Sequence, residues 1–179
     1  TVTGGGAMHM NDAFGHHPKL HCIYQHHEQA CAMAAEAYAR MDNHMAAVCV
    51  TTGPGATNAI TGVLGGWMDS IPMLVFSGQA RYATTVSASG LPLRSMGVQE
   101  CNIVPVVKSL TKYAHMIVHP ENIRYHLEKA LYLAVNGRPG PVWLDIPLDV
   151  QGAVIETDDL KAYDPAENPE QKPQEQPAE

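Results

Sequence analysis

Apolar positions along the chain follow two alternating patterns. Short unbroken runs at residues 46–50, 72–76 and 141–146 read as strands buried on both faces. Over residues 28–41, by contrast, Ala30, Ala34, Ala37 and Met41 recur at three- and four-residue steps. That spacing predicts a helix, and its small side chains let a second backbone come close. Further helices are predicted around Met8 and Phe14, from the turn after residue 58 to about Met68, and over residues 121–135. The last of these stops at Asn136-Gly137-Arg138-Pro139-Gly140. Residues 20–24 read as one more strand. Residues 78–97 have no strong period and form a long connection, a place where function often resides. The alternation predicts a three-layer α/β domain: a mostly parallel sheet of about six strands with helices on both faces.

Composition sharpens the boundaries. Of 179 residues, 45% are hydrophobic, ordinary for a globular domain with its own core. The net charge of -7 is unevenly placed: residues 156–179 hold eight acids and two bases, the rest ten acids and nine bases. Pro165, Pro169, Pro173 and Pro177 recur every fourth residue in this acidic stretch, which reads as an extended linker or tail implying a following domain. A nearly neutral body excludes the basic surface that nucleic acid requires. No apolar run approaches the ~20 residues of a membrane helix, and no secretory signal stands at the start. Cys22, Cys31, Cys49 and Cys101 match no zinc spacing; three lie in apolar stretches, as reduced thiols would in a cytoplasmic protein.

Two constellations could carry chemistry. Gly53-Pro54-Gly55 follows a strand and opens a helix, as a phosphate cradle does. Pro54 removes one backbone donor, however, and neither the third dinucleotide glycine nor a P-loop lysine follows. The segment reads equally as a plain tight turn, with Asn58 as a neutral donor and acceptor. Glu28, after His26 and His27, starts the alanine-rich helix beyond the end of a strand, where ligands of open α/β sheets bind. A helix-start carboxylate stabilised by the helix dipole is the simpler account. The ten histidines show no metal-binding spacing, so no metal ligand is assigned. Asp145 and Asp149, flanking Pro147, suit turns. No Gly-x-Ser-x-Gly elbow marks a hydrolase.

Seven segments together resemble the acetolactate synthase-like thiamine-diphosphate enzymes. They are His27-Glu28-Gln29-Ala30 with residues 35–40 (Ala-Glu-Ala-Tyr-Ala-Arg); Thr51-Thr52-Gly53-Pro54-Gly55-Ala56-Thr57-Asn58; Asp69-Ser70-Ile71-Pro72; Gly78-Gln79; Gln99-Glu100; Thr111-Lys112-Tyr113; and Gly137-Arg138-Pro139-Gly140-Pro141-Val142 with Asp145-Ile146-Pro147. They run in order through nearly all of residues 1–150.

The resemblance implies a pyrimidine-binding domain of the thiamine-diphosphate-binding fold over residues 1–155, followed by the linker or tail of residues 156–179. The family's opening helix and part of its first strand would precede Thr1. Thiamine diphosphate would lie between this domain and a diphosphate-binding domain of the same or another subunit. That other domain, absent here, would hold the magnesium ion. Glu28 would bond a ring nitrogen of the aminopyrimidine, so that the exocyclic nitrogen takes the thiazolium proton, and an apolar setting would raise its pKa toward the working range. Pro54 and Asn58 match positions at the pyrimidine pocket, Gln99 a residue reaching the reacting carbons, and Val98 and Lys112 positions along the substrate channel. Val98 replaces the family's Phe, leaving room for a different acceptor. The substrate would be a small 2-keto acid, decarboxylated and transferred to a second keto acid or a keto-sugar nucleotide, in a homodimer or tetramer. A flavin (FAD) requirement stays open. The competing account is a non-catalytic dimerisation module built on the Glu28 helix.

Overall fold

A computed structural model describes residues 1–42 and 44–168. In chain order the helices and strands are α1 (Met8–His16), α2 (Glu28–Asp42), β1 (Ala46–Val50), α3 (Pro54–Asn58), α4 (Ile60–Met68), β2 (Met73–Gln79), α5 (Val86–Ser89), α6 (Ile103–Val107), β3 (Tyr113–Met116), α7 (Ile123–Val135), β4 (Val142–Pro147) and α8 (Leu148–Gln151). The strands pair in parallel in the order β1-β2-β4-β3.

Side-chain alternation along these strands builds two cores. Val48, Val50, Met73, Val75 and Trp143 point to one face, where Ala32, Ala35 and Ala39 of α2, Val63 of α4 and Ile103 of α6 cover them. Cys49, Leu74, Val142, Leu144 and Ile146 point to the other, against Met10 of α1 and Ala130, Leu133 and Ala134 of α7. Helices therefore cover both faces, as expected. The packed face of α2 is not the one the spacing predicted: Ala30, Ala34, Ala37 and Met41 are exposed, and Ala32, Ala35 and Ala39 face the core instead. A Cβ on Gly62 of α4 would lie 2.6 Å from the Ala32 Cβ, so the two helices meet nearly backbone to backbone.

The strand count differs from expectation. Four strands form among the described residues, not six. Residues 20–24 are not one of them: Leu20, Ile23 and Tyr24 are exposed, and the segment pairs with no strand, being held by Thr1, whose amino group donates to Ile23 O at 2.7 Å. Their apolar character belongs to a surface, not to a sheet. Conversely, β3 has every side chain only half-buried, so its sequence lacks the unbroken apolar run of a central strand. Free thiols remain at all four cysteines, with Cys31 and Cys49 buried. No helix of the described residues is long and apolar enough to cross a membrane.

Part of the acidic stretch lies along α7. Tyr163 is buried there, its amide donates to Glu128 Oε2 at 2.8 Å, and Glu167 accepts from the Tyr125 hydroxyl. Pro169, Pro173 and Pro177 lie outside the described residues. Under this strap, His126 stacks on His115 at 3.9 Å between ring centroids and shares a 2.7 Å hydrogen bond with the Tyr113 hydroxyl. Burial, then His115 and Lys129, push His126 from 6.5 down to about 4. The folded protein thus resists a proton that the unfolded chain accepts, and this stability is lost as pH falls from about 6.5 toward 4. The expected loss between pH 7 and pH 5, allowing for solvent screening, is on the order of 1 kcal/mol. Denaturant melts should show it in the wild type and not in His126→Gln; identical pH slopes would remove the effect.

Candidate functional site

The site forms where the parallel strands end. After Val50, Thr51 and Thr52 lead into Gly53, whose φ of 60° and ψ of -119° suit glycine alone. Pro54 then occupies the first turn of α3, where its missing N–H removes no helical bond. The turn closes through Gly55 N–H to Thr52 O and Thr57 N–H to Gly53 O, at 3.3 and 3.0 Å. The glycines of the Thr3–Gly6 segment serve close packing: the Gly6 N–H donates to Thr51 Oγ1 at 3.0 Å, and a Cβ on Gly78 would strike the Gly6 carbonyl.

Glu28 is the first residue of α2, with His27 Nδ1 accepting the Gln29 N–H to cap the helix start. Its carboxylate is half-buried and reaches the turn: Oε2 accepts from Asn58 Nδ2 at 3.0 Å, and Oε1 lies 3.4 Å from where a Gly55 Cβ would be. From the opposite side comes Gln99, at a left-handed φ of 55°. A Gly53 Cβ would lie only 2.1 Å from its carbonyl oxygen. The structure thus brings Glu28, Pro54, Asn58 and Gln99 together around one turn. Val98 stands beside them at the rim, 84% exposed. Glu100 shapes this segment by accepting the amides of Val86, Met96 and Gly97 at 2.7 to 2.9 Å. Burial pushes its carboxyl up, but the three donors outweigh it and leave it below its ordinary value.

Lys112 does not join them. It precedes β3, its backbone N–H bonds Pro141 O before β4, and its ammonium donates to Asn136 O at the end of α7. All three features belong to the amino end of the sheet, opposite Glu28. There Lys112 lines a shallow cleft of about 320 Å³ with Trp67, Met68, Arg138 and Pro139. Partial burial lowers its pKa.

Sequence patterns also left a group of buried polar residues unnoticed. Asp145, expected to shape a turn, lies fully buried inside β4. Asp149 does not shape a turn either: it sits in the first turn of α8 and accepts the amide of the distant Tyr82 at 2.9 Å. Asp145 Oδ1 accepts from Ser77 Oγ at 2.6 Å and Oδ2 from Gln79 Nε2 at 3.0 Å, while Trp143 Nε1 donates to Ser77 Oγ at 2.8 Å. Burial raises the Asp145 carboxyl from 3.8 to about 7, against the lowering effect of the Ser77 and Gln79 bonds. The only sequence signal was a charged residue inside an otherwise apolar strand. Among the described residues, no group of three His, Cys, Asp or Glu side chains could hold a metal ion.

Comparison with known proteins places the chain in a family. Residues 1–96 match the model for the thiamine pyrophosphate enzyme, N-terminal TPP binding domain. The chain is 37% identical over 172 residues to the acetolactate synthase large subunit of Haemophilus influenzae, covering 92% of this chain and 29% of that protein. It is 38% identical over 147 residues to the Escherichia coli acetolactate synthase isozyme 3 large subunit, covering 82% and 24%. Against the chloroplastic acetolactate synthase of Arabidopsis thaliana, identity is 35% over 151 residues, covering 83% and 21%. The chain therefore spans between a fifth and a third of the length of these relatives. On this evidence it belongs to the thiamine pyrophosphate enzyme family, as an acetolactate synthase-like N-terminal TPP-binding domain.

Proposed function

We propose that this chain is the pyrimidine-binding half of a 2-keto acid decarboxylase and carboligase. The observation that carries the proposal is a half-buried carboxylate, Glu28, held by Asn58 against the Gly53-Pro54-Gly55 turn. The missing Cβ atoms at Gly53 and Gly55 let Gln99 and Thr51 close in on the turn beside Glu28, and Pro54 adds an apolar edge for a flat heterocycle without demanding a phosphate. Thiamine diphosphate, once bound, would supply an acidic thiazolium carbon and an electron sink for decarboxylation. Glu28 would hold a proton against the pyrimidine ring, Asn58 would fix the carboxylate's direction, and Gln99 would bond the substrate's oxygens.

The residues fit half of such a site. Glu28 is only half-buried on this chain, so the dry setting that a shared proton requires would come from a covering domain. The diphosphate and its magnesium ion would be held there, not by any residue named here. Met33, Tyr38 and Met41 of α2 and Leu64, Trp67 and Met68 of α4 present exposed apolar area suited to a second subunit in a dimer or tetramer. Val98, small and exposed at the rim, leaves room for either a second keto acid or a keto-sugar nucleotide as acceptor.

Titration calorimetry of this chain with thiamine diphosphate and magnesium tests the proposal. No heat of binding is expected from the chain alone. Heat should appear when a diphosphate-binding domain of an acetolactate synthase is supplied separately. Tight binding by the chain alone would overturn the two-domain reading.

A further inference from the structure

The buried polar group described above extends to the site. Ser77 and Gln79 alternate with apolar residues on β2, and Trp143 and Asp145 on β4, so all four share the α2-covered face. Gln79 is 1% exposed, and its amide is fully used. Nε2 donates to Asp145 Oδ2 at 3.0 Å and to Cys101 O at 2.7 Å. Oε1 accepts from Thr52 Oγ1 at 2.8 Å and from the Ala80 N–H at 3.0 Å. A primary amide has two donors and two acceptor positions, and here each has one partner.

These partners come from separate parts of the site. Thr52 adjoins the Gly53 turn beside Glu28, and Cys101 follows Gln99 by two residues. Gln99 itself has a left-handed backbone, a conformation that a non-glycine residue keeps only when its surroundings impose it. We propose that Gln79, bonded to Asp145, is the positioning residue that clamps the 97–102 segment to the Gly53 turn and so sets Gln99 opposite Glu28. Orientation follows from chemistry. The Cys101 carbonyl beside the Nε2 end accepts only, the Ala80 N–H beside the Oε1 end donates only, and Asp145 and Thr52 complete the two ends. The amide therefore cannot turn over, and one N–H stays on Cys101 O. The proposal depends on the pyrimidine-half reading only for its catalytic consequence; the clamp itself is testable without cofactor.

Gln79→Glu separates the clamp from mere core filling. The new carboxyl has the same shape, can share a proton with Asp145 and still accepts from Thr52, but has no second proton for Cys101 O. Hydrogen exchange of the whole chain, read by mass spectrometry, should accelerate roughly tenfold at the Gly97 and Glu100 amides, with β1, β2 and β4 as protected as in the wild type. Unchanged exchange at Gly97 and Glu100 would overturn the proposal. So would equal loss of protection throughout, which marks a residue that only fills the core. Should the variant not fold, the wild type answers by nuclear magnetic resonance. Two distinct, slowly exchanging Gln79 side-chain protons support the clamp, and one averaged, rapidly exchanging pair overturns it. In a complete enzyme, Gln79→Glu should lower kcat while sparing the exchange of the thiazolium proton that Glu28 governs; equal loss of both would refute a role confined to Gln99. A Glu28→Gln enzyme with normal proton exchange would overturn the cofactor reading and leave the clamp standing.

Discussion

Glu28→Gln, in an enzyme containing this domain, should slow exchange of the thiazolium proton by about a hundredfold or more, the usual effect of losing a positioned acid–base group. The substitution is conservative in shape. The glutamine carbonyl can still accept from Asn58 Nδ2, which lies 3.0 Å from the native carboxylate, so the turn should keep its form. A neutral amide, however, cannot share a proton with a ring nitrogen. The defect should therefore fall on proton exchange, with cofactor affinity changing less than tenfold. Proton exchange followed by nuclear magnetic resonance after quenched mixing into deuterium oxide measures it. Near-normal exchange would refute the role assigned to Glu28. Asn58→Ala should produce a weaker version, because it removes the partner that aims the carboxylate and leaves the carboxylate itself.

The sequence carried the central architecture because burial on both faces leaves an unmistakable record. Residues 46–50 became β1 without adjustment, and the runs at 72–76 and 141–146 became the bodies of β2 and β4. The alanine spacing marked α2 as a helix but picked the wrong face: Ala30, Ala34, Ala37 and Met41 are exposed, and Ala32 is the residue that Gly62 approaches. What failed to show was structure whose apolar content serves another purpose. Residues 20–24 carry Leu20, Ile23 and Tyr24 outward, and a period-two surface segment resembles a strand in sequence. The half-buried β3 gave the opposite error. Motif order implied that Glu28, Pro54, Asn58 and Gln99 converge, and they do meet at one turn; their roles there are those proposed. Lys112 shows the limit of that inference: a motif fixes neighbours in sequence, but only the parallel sheet decides which end of the domain they reach. Asp145 was missed because a buried carboxylate satisfied by Ser77 and Gln79 looks, in sequence, like any aspartate before a proline.

Two glycines with nearly the same φ should respond very differently to alanine, and the contrast tests the site's construction. Gly53 and Gly90 have φ of 60° and 64°. At Gly90 an added Cβ meets nothing within 4 Å, so Gly90→Ala should cost only the left-handed penalty of about 1 kcal/mol. At Gly53 the ψ of -119° adds a region closed to other residues, and the Cβ would lie 2.1 Å from the Gln99 carbonyl oxygen. Backbone on both sides leaves no flexible side chain to give way. Either the Gln99 segment moves off the turn or α3 loses its start. Gly53→Ala should cost about 3 kcal/mol or more by denaturant melting, combining strain with overpacking. It should also abolish activity in an enzyme that retains Glu28, since the cradle beside Glu28 is lost even where the fold survives. Equal destabilisation by the two substitutions would mean that Gln99 does not press against the turn, and the convergence on which the site rests would be gone.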